Sequence, residues 1–159
     1  MTVLTGLHMR ISVVGGGVGT DAARSMAERV GVTIAERGHT LVCGGRGGVM
    51  QAACRGAKES AGRTIGILPG EDIAAANPHV DIPIATGIGD ARNVLVALNG
   101  DGMIALDGQY GTLSEIALGL NIDRPVAGID THDVAGIHVV ETPETAVDVL
   151  ESEWDGHST

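Results

Sequence analysis

The sequence has 159 residues, which is enough for one globular domain with a sizeable core. Hydrophobic residues make up 43% of the chain but aromatic residues only 1%, so the core must consist mainly of Val, Ile, Leu and Ala. Such a core is typical of a parallel sheet covered by helices. The formal net charge of −10 and the scarcity of aromatic side chains for base stacking argue against a nucleic-acid partner.

The termini predict how the chain is divided and where it acts. No apolar run approaches the ~18 residues of a membrane span, and residues 1–9 lack the pattern of a signal peptide. We therefore expect a cytoplasmic protein without a membrane partner. Its expected parts are a flexible leader (1–9), a Rossmann-like nucleotide-binding domain (10–151) and a polar tail (152–159).

Charged and metal-binding residue types give two further indications. The excess of Asp and Glu, with Lys58 as the only lysine, is typical of halophilic proteins, and an ordinary acidic surface is the alternative. The cysteines, Cys43 and Cys54, form no CxxC motif, and the histidines lack ligand spacing. We therefore expect buried thiols and no metal site.

The first predicted strand, residues 10–14, runs into a glycine loop. The loop has a GxGxG pattern and consists of Gly15, Gly16, Gly17, Val18 and Gly19. Its position directly after the first strand favours contact with a ligand, and the alternative is a plain turn into the helix predicted at 21–37. No acidic residue ends the second strand, which disfavours a standard NAD site.

A second glycine loop follows the strand predicted at residues 40–43. It comprises Gly44, Gly45, Arg46, Gly47 and Gly48 and precedes a helix predicted at 49–61, which Gly62 closes. The glycines let the backbone approach a ligand closely, and Arg46 offers a bidentate grip for an anion. The alternative for Arg46 is a salt bridge with a nearby carboxylate.

The middle of the chain predicts two more strands with an irregular segment between them. The strands are expected at 64–68 and 81–85. The polar segment at 71–80 is expected to be a surface loop over the mouth of the crevice that the glycine loops form.

A helix predicted at 90–99 carries the next candidate site residues. Asp90 is the expected N-cap, so Arg92 and Asn93 lie in the first turn. Because an arginine there opposes the helix dipole, Arg92 favours an anionic partner, and the alternative is solvation on the helix surface.

The central strand, predicted at 102–106, leads into the stretch DGQYGTLSE at 107–115. Gly108, Gly111 and Thr112 lie where loop amides and the start of a helix favour an anion. Thr112 and Glu115 match a capping box, which predicts a structural role for both. Glu115, beside Arg92, is also a candidate to face a bound ribose. We expect this tip and the Gly44 loop to form one phosphate-binding crevice.

The remaining elements complete an alternating pattern. Strands are predicted at 125–129 and 137–140, and Thr142 and Pro143 start a closing helix. The alternation predicts a single α/β domain, a Rossmann-like doubly wound sandwich with a mostly parallel sheet of about seven strands and helices on both faces. Apolar helix positions suggest a homo-oligomer, such as a dimer, and the alternative is that they fill the monomer core; these positions are Leu95, Leu98, Leu118 and Leu120.

Two motifs in this order resemble those of a known superfamily. GGRGGVM at 44–50 resembles the GGGxxGLM motif of cytokinin-activating phosphoribohydrolases, which belong to the SLOG or lysine-decarboxylase-like superfamily. DGQYGTLSE at 107–115 resembles their PGGxGTxxE motif. The overall length and the run at 111–117 are more similar to the molybdenum cofactor carrier protein-like branch.

The resemblance implies two alternative functions. As a carrier, the protein would bind a nucleotide or molybdenum cofactor through loop amides and an arginine, and it would need no cofactor of its own. As a phosphoribohydrolase, it would cleave a nucleoside 5′-monophosphate, with Arg92 and Glu115 as the catalytic pair and phosphate on Gly111, Thr112 and the Gly44 loop. The sequence departs from the hydrolase motifs at Asp107, Gln109 and Asn93, which favours the carrier.

Overall fold

The computed structural model describes residues 7–154. Its seven-stranded sheet has the order β4-β3-β2-β1-β5-β6-β7, and every neighbouring pair is parallel. The strands are β1 (Arg10–Gly15), β2 (Thr40–Cys43), β3 (Arg63–Leu68), β4 (Ile82–Ala85), β5 (Gly102–Asp107), β6 (Val126–Thr131) and β7 (His138–Val139). The helices are α1 (Asp21–Glu36), α2 (Val49–Glu59), α3 (Arg92–Leu98), α4 (Tyr110–Asn121) and α5 (Pro143–Glu153).

The strand order reverses between β1 and β5. The chain winds outward from β1 to β4 on one side, and it returns to the centre to add β5, β6 and β7 on the other. The loops that leave the carboxyl ends of β1 and β5 therefore part in opposite directions and open a crevice. The predicted Rossmann-like, doubly wound fold is confirmed.

Alternating side chains of the central strands build two cores, one on each face. Ile11 and Val13 of β1, with Ile104 and Leu106 of β5, face α1, α2 and α5. Val14 of β1, with Met103 and Ala105 of β5, faces α3 and α4. Because both faces are covered, these strands are mostly apolar on both sides, as expected of a buried parallel sheet, and Ser12 is a buried polar exception.

The first two helices pack unusually closely through a pair of glycines. A methyl group on Gly31 of α1 would overlap the carbonyl oxygen of Ala53 in α2, and one on Gly56 of α2 would overlap the carbonyl oxygen of Glu28 in α1. Only glycine permits this backbone approach on each side.

Some predicted element ends were wrong. The helix expected at 90–99 consists of a short 3-10 turn, Gly89–Ala91, followed by α3, which has no side-chain cap, so Asp90 is not its N-cap. At the end of α2 the left-handed residue is Ala61 rather than Gly62. At α5 the prediction holds, since Thr142 Oγ1 accepts a 3.1 Å hydrogen bond from the Thr145 N–H.

The ends of the expected domain extend somewhat further than its predicted bounds. Met9, assigned to the leader, is fully buried, and α5 continues to Glu153, within the expected tail. The rest of both segments, residues 1–6 and 155–159, lies outside the described residues. Between residues 7 and 154, no helix is long and apolar enough to cross a membrane.

The structure tests two predictions about burial, one for the cysteines and one for the apolar helix positions. Cys43 and Cys54 are free thiols in the core, with their sulfur atoms 3.5 Å apart, as expected. Of the apolar stripe, Leu95, Leu118 and Leu120 pack against the core on the α3 and α4 face, whereas Leu98 is 49% exposed. The core therefore accounts for three of these four leucines.

Candidate functional site

A cleft of about 720 Å³ opens at the carboxyl edge of the sheet, at the point where the strand order reverses. Its floor is apolar and comes from Val13 and Val14 of β1 and Met50 of α2. One rim is the end of β1 and the loop after it, with Gly15, Gly16 and Gly17. The other is the loop after β5 and the start of α4, with Gly108 and Gly111. This is where open α/β sheets bind ligands.

The first turn of α4 forms one wall of this cleft. The helix begins at Tyr110, with Gln109 as N-cap and no side-chain hydrogen bond to the cap. Its first amides therefore lack a partner within the helix and point, with the positive end of the helix dipole, at the cleft. Gly111, at the second helical position, leaves open space, since a methyl group there would come no closer than 4.0 Å to Asn93 Nδ2.

The predicted capping box at Thr112 and Glu115 was wrong. The helix starts two residues before Thr112, because Gly108 turns the chain early with a φ of +98°. Thr112 is buried, and its side chain packs where a Cβ on Gly108 would lie. Both Thr112 and Glu115 are thus released from capping and line the cleft.

Arg92 lies at the inner end of the cleft, where backbone groups hold its guanidinium. Nε donates to the Ile67 carbonyl at 3.0 Å, and Nη2 lies 3.4 Å from the Gly44 carbonyl. Nη1 donates to Oδ1 of Asn93, which is buried and also lines the cleft. The side chain thereby ties β3, the Gly44 loop and α3 together, and it leaves N–H groups for a ligand.

Glu115 faces Arg92 across the cleft. Only 7% of Glu115 is exposed. Burial raises the pKa of its carboxyl to about 7, and the positive charge of Arg92 offsets only part of that effect. Near neutral pH, Glu115 is therefore present both as a neutral hydrogen-bond donor and as an ion.

The second glycine loop contributes only its first residue to the cleft. Gly44 lines the cleft, whereas Gly45, Gly47 and Gly48 do not. Gly48 instead packs against the backbone of Gly16 and Gly17, where any side chain would overlap their atoms. This second loop thus supports the loop after β1 from behind, and of its residues only Gly44 shares the cleft with the 107–115 tip.

Arg46 points away from the cleft. Its side chain is exposed and forms no ion pair with any of residues 7–154, so the alternative of a salt bridge is not realised. Its carbonyl accepts a 2.9 Å hydrogen bond from Asn77 Nδ2, and the Asn77 N–H donates to the Gly45 carbonyl. The segment at 71–80 therefore fastens the outside of this loop instead of covering the crevice.

Besides Val13, Val14 and Met50, several cleft residues were not predicted as site residues, although most of them lie in the predicted loops and motifs. Asp107 has a φ of +49° and lies beside Gly16, and Asp90 joins it on the rim. The others are Val18, Gly19, Gln109, Tyr110 and Ser114. The sequence signal that could have identified them is their position next to the predicted glycines. With Glu115, the cleft holds three carboxyl groups and one arginine, Arg92.

A family comparison decides the wider identity of the chain. The model of the SLOG cluster4 family matches residues 8–153. The chain belongs to the SLOG cluster4 family. A relative of this family member in Archaeoglobus fulgidus, an uncharacterised protein, is 44% identical over 140 residues, which cover 87% of this chain and 92% of the relative.

Two solved structures extend the comparison of this SLOG cluster4 protein. The molybdenum cofactor binding protein of the phototrophic bacterium Rippkaea orientalis has a TM-score of 0.83 and 33% identity, covering 94% of this chain and 98% of that one. The molybdenum cofactor carrier protein of Chlamydomonas reinhardtii has a TM-score of 0.82 and 35% identity, covering 91% and 98%. The predicted likeness to the carrier branch is confirmed.

Proposed function

We propose that the protein binds a small phosphorylated ligand of the molybdenum cofactor type in this cleft and acts as its carrier. The observation that carries the proposal is the uncapped first turn of α4 at the strand-order reversal, facing the loop after β1. Helix N-termini in this position favour phosphate. The likeness to molybdenum cofactor binding and carrier proteins supports the choice of ligand class.

The residues of the cleft suit the parts of such a ligand. The amides of Gly111 and Thr112 would hold the phosphate, and the free N–H groups of Arg92 would add charge-assisted hydrogen bonds. The volume of about 720 Å³ lies within the range of small-molecule sites.

A direct test is to load the purified protein with molybdenum cofactor and to remove unbound cofactor by gel filtration. We expect the molybdenum content, by mass spectrometry, and the pterin fluorescence to approach one per cleft. Gly111→Ala should retain the fold but lower retention several-fold, because its methyl group lies beside Asn93 at the phosphate position.

The matched control is Gly70→Ala, since a methyl group on Gly70 also meets nothing within 4 Å but lies outside the cleft. This control should load like the unaltered protein. Retention no greater than that of an unrelated acidic protein, at low salt and at molar salt, would exclude the carrier function.

A second candidate function is a nucleoside 5′-monophosphate phosphoribohydrolase. The specific observation in its favour is Glu115, whose pKa of about 7 suits a general acid or base at neutral pH, opposite Arg92. Incubation with AMP, followed by assays for free adenine and ribose 5-phosphate, tests it. Turnover that disappears in Glu115→Gln would establish hydrolysis, and intact AMP would exclude it for this substrate.

We further propose that the protein forms a homo-oligomer through the exposed side of α3. Val94 and Leu98 are 46% and 49% exposed there, although the rest of the apolar stripe belongs to the core. Sedimentation velocity tests this proposal, and Leu98→Glu should shift the protein toward the monomer.

A further inference from the structure

The Glu115 carboxyl is buried, faces the ligand cleft and lacks a hydrogen-bond partner in the described part of the chain. An ionised carboxylate in such a place is costly, because burial removes most of its hydration and no protein donor replaces what is lost. Arg92, the cation nearest to it, does not form an ion pair with it and is bound to the Ile67 and Gly44 carbonyls.

The groups around Glu115 offer little further compensation. β1 and α2 contribute apolar floor residues, and β2 contributes the Cys43 thiol. Arg92 and the neutral Asn93 come from α3, Asp90 from the turn before it, and Asp107 from the end of β5. Within α4 itself, Thr112 and Ser114 are neutral, and Tyr110 adds a phenol hydroxyl to the cleft lining. One positive charge thus faces three carboxyl groups before any ligand enters.

The helix geometry places Glu115 next to the proposed phosphate position. Gly111 and Thr112 precede it by four and three residues, so all three lie on the same face of α4. An anionic group held by the first-turn amides would therefore bring more negative charge close to the largely buried Glu115 carboxyl. Like charges at such a distance strongly disfavour ionisation of the carboxyl.

We infer that an anionic ligand enters this cleft together with one proton, which Glu115 takes up. The inference rests on the proposed phosphate-binding function and adds its coupling to pH. A neutral Glu115 would also be able to donate a hydrogen bond to the ligand, a contact that the carboxylate cannot make.

The sign of the coupling follows from linkage. In the free protein Glu115 ionises with a pKa of about 7. In the complex it stays protonated to higher pH, so above pH 7 the proton must be supplied from solution and affinity falls about tenfold per pH unit. The phosphate of a phosphate monoester contributes little in this window, because its own second pKa is about 6.

Ribose 5-phosphate and glycerol 3-phosphate are suitable probes, since both are phosphate monoesters and neither has a glycosidic bond to cleave. Titration calorimetry between pH 7 and pH 9 should give a dissociation constant that rises about tenfold per pH unit. At pH 8, heats measured in two buffers of different ionisation enthalpy should report the uptake of nearly one proton per phosphate bound, a measurement that needs no variant.

Two cleft variants separate Glu115 from general electrostatics. Glu115→Gln should bind the probes with a dissociation constant that is nearly constant between pH 7 and pH 9. Asp107→Asn removes another cleft carboxylate and should tighten binding a few-fold at every pH while it keeps the tenfold slope.

The outcomes distinguish this inference from the proposed function. Probe binding that is independent of pH, or that takes up no proton at pH 8, overturns the inference and leaves the carrier function standing. The same slope in Glu115→Gln would also overturn it. Failure of both probes to bind at any pH overturns it too, and the cofactor-loading experiment then decides whether the carrier function also fails.

Discussion

Arg92 Nε donates a 3.0 Å hydrogen bond to the carbonyl oxygen of Ile67, near the end of β3. The same guanidinium bonds to Asn93 and approaches the Gly44 carbonyl. Arg92 therefore has a structural role that does not depend on a ligand, because its side chain joins the edge of the sheet to α3. This connection explains how a cation can remain at the first position of a helix, where the dipole opposes it.

Arg92→Lys should consequently lower stability although it keeps the charge. A lysine ammonium cannot match the planar set of donors that reaches these acceptors. We expect a loss of about 1–3 kcal/mol in the free energy of unfolding, from one or two hydrogen bonds left unmade. Urea denaturation measures it, and an unchanged midpoint would mean that the guanidinium has no bracing role.

Glu115→Gln should stabilise the protein increasingly as the pH rises from 4.5 to 7, and hardly at all below pH 4.5. The folded-state pKa of about 7 lies above the ordinary value of 4.5, so folding protonates Glu115 and its burial costs stability once the pH exceeds 4.5. The cost grows up to pH 7 and reaches about 3 kcal/mol above it. Thermal unfolding at pH 4.5 and pH 8 should show the gain only at pH 8. An equal gain at both pH values would contradict burial of the ionised carboxyl.

Gly31→Ala should destabilise the protein, although alanine favours a helix over glycine by about 1 kcal/mol. The new methyl group would overlap the Ala53 carbonyl oxygen, and backbone cannot move aside as a side chain can. Overpacking of this kind costs about 1–3 kcal/mol, so the loss should prevail. Gly111→Ala is the matched helical control and should be neutral or slightly stabilising. A stabilised Gly31→Ala would refute the close contact between α1 and α2.

Ala61→Gly should stabilise the protein by about 0.5–1 kcal/mol. α2 ends in a Schellman motif, in which Ala61 N–H donates to the Lys58 carbonyl and Gly62 N–H to the Ala57 carbonyl. This motif needs a left-handed residue after the cap, and Ala61 occupies that conformation with a φ of +59°. At the end of α1, Gly38 fills the equivalent position with a φ of +80°, so Gly38→Ala should cause a similar loss. Differential scanning calorimetry of both variants tests the pair, and shifts of the same sign would contradict the argument.

The sequence by itself determined the fold and most elements of the cleft. Alternating strands and helices, apolar strands and glycines at strand ends are local features, and each has one structural solution in a parallel α/β protein. The family motifs then identified the residue types at the two loops that meet there.

Only the tertiary structure decided which of these residues face the ligand. Thr112 and Glu115 matched a capping box, but the turn at Gly108 starts α4 earlier and turns both toward the cleft. Arg46 looked like an anion grip, but Asn77 fastens its loop from outside and leaves the side chain in solvent. The physical reason is that a local pattern fixes backbone conformation, whereas the direction and burial of a side chain depend on contacts between segments far apart in the chain.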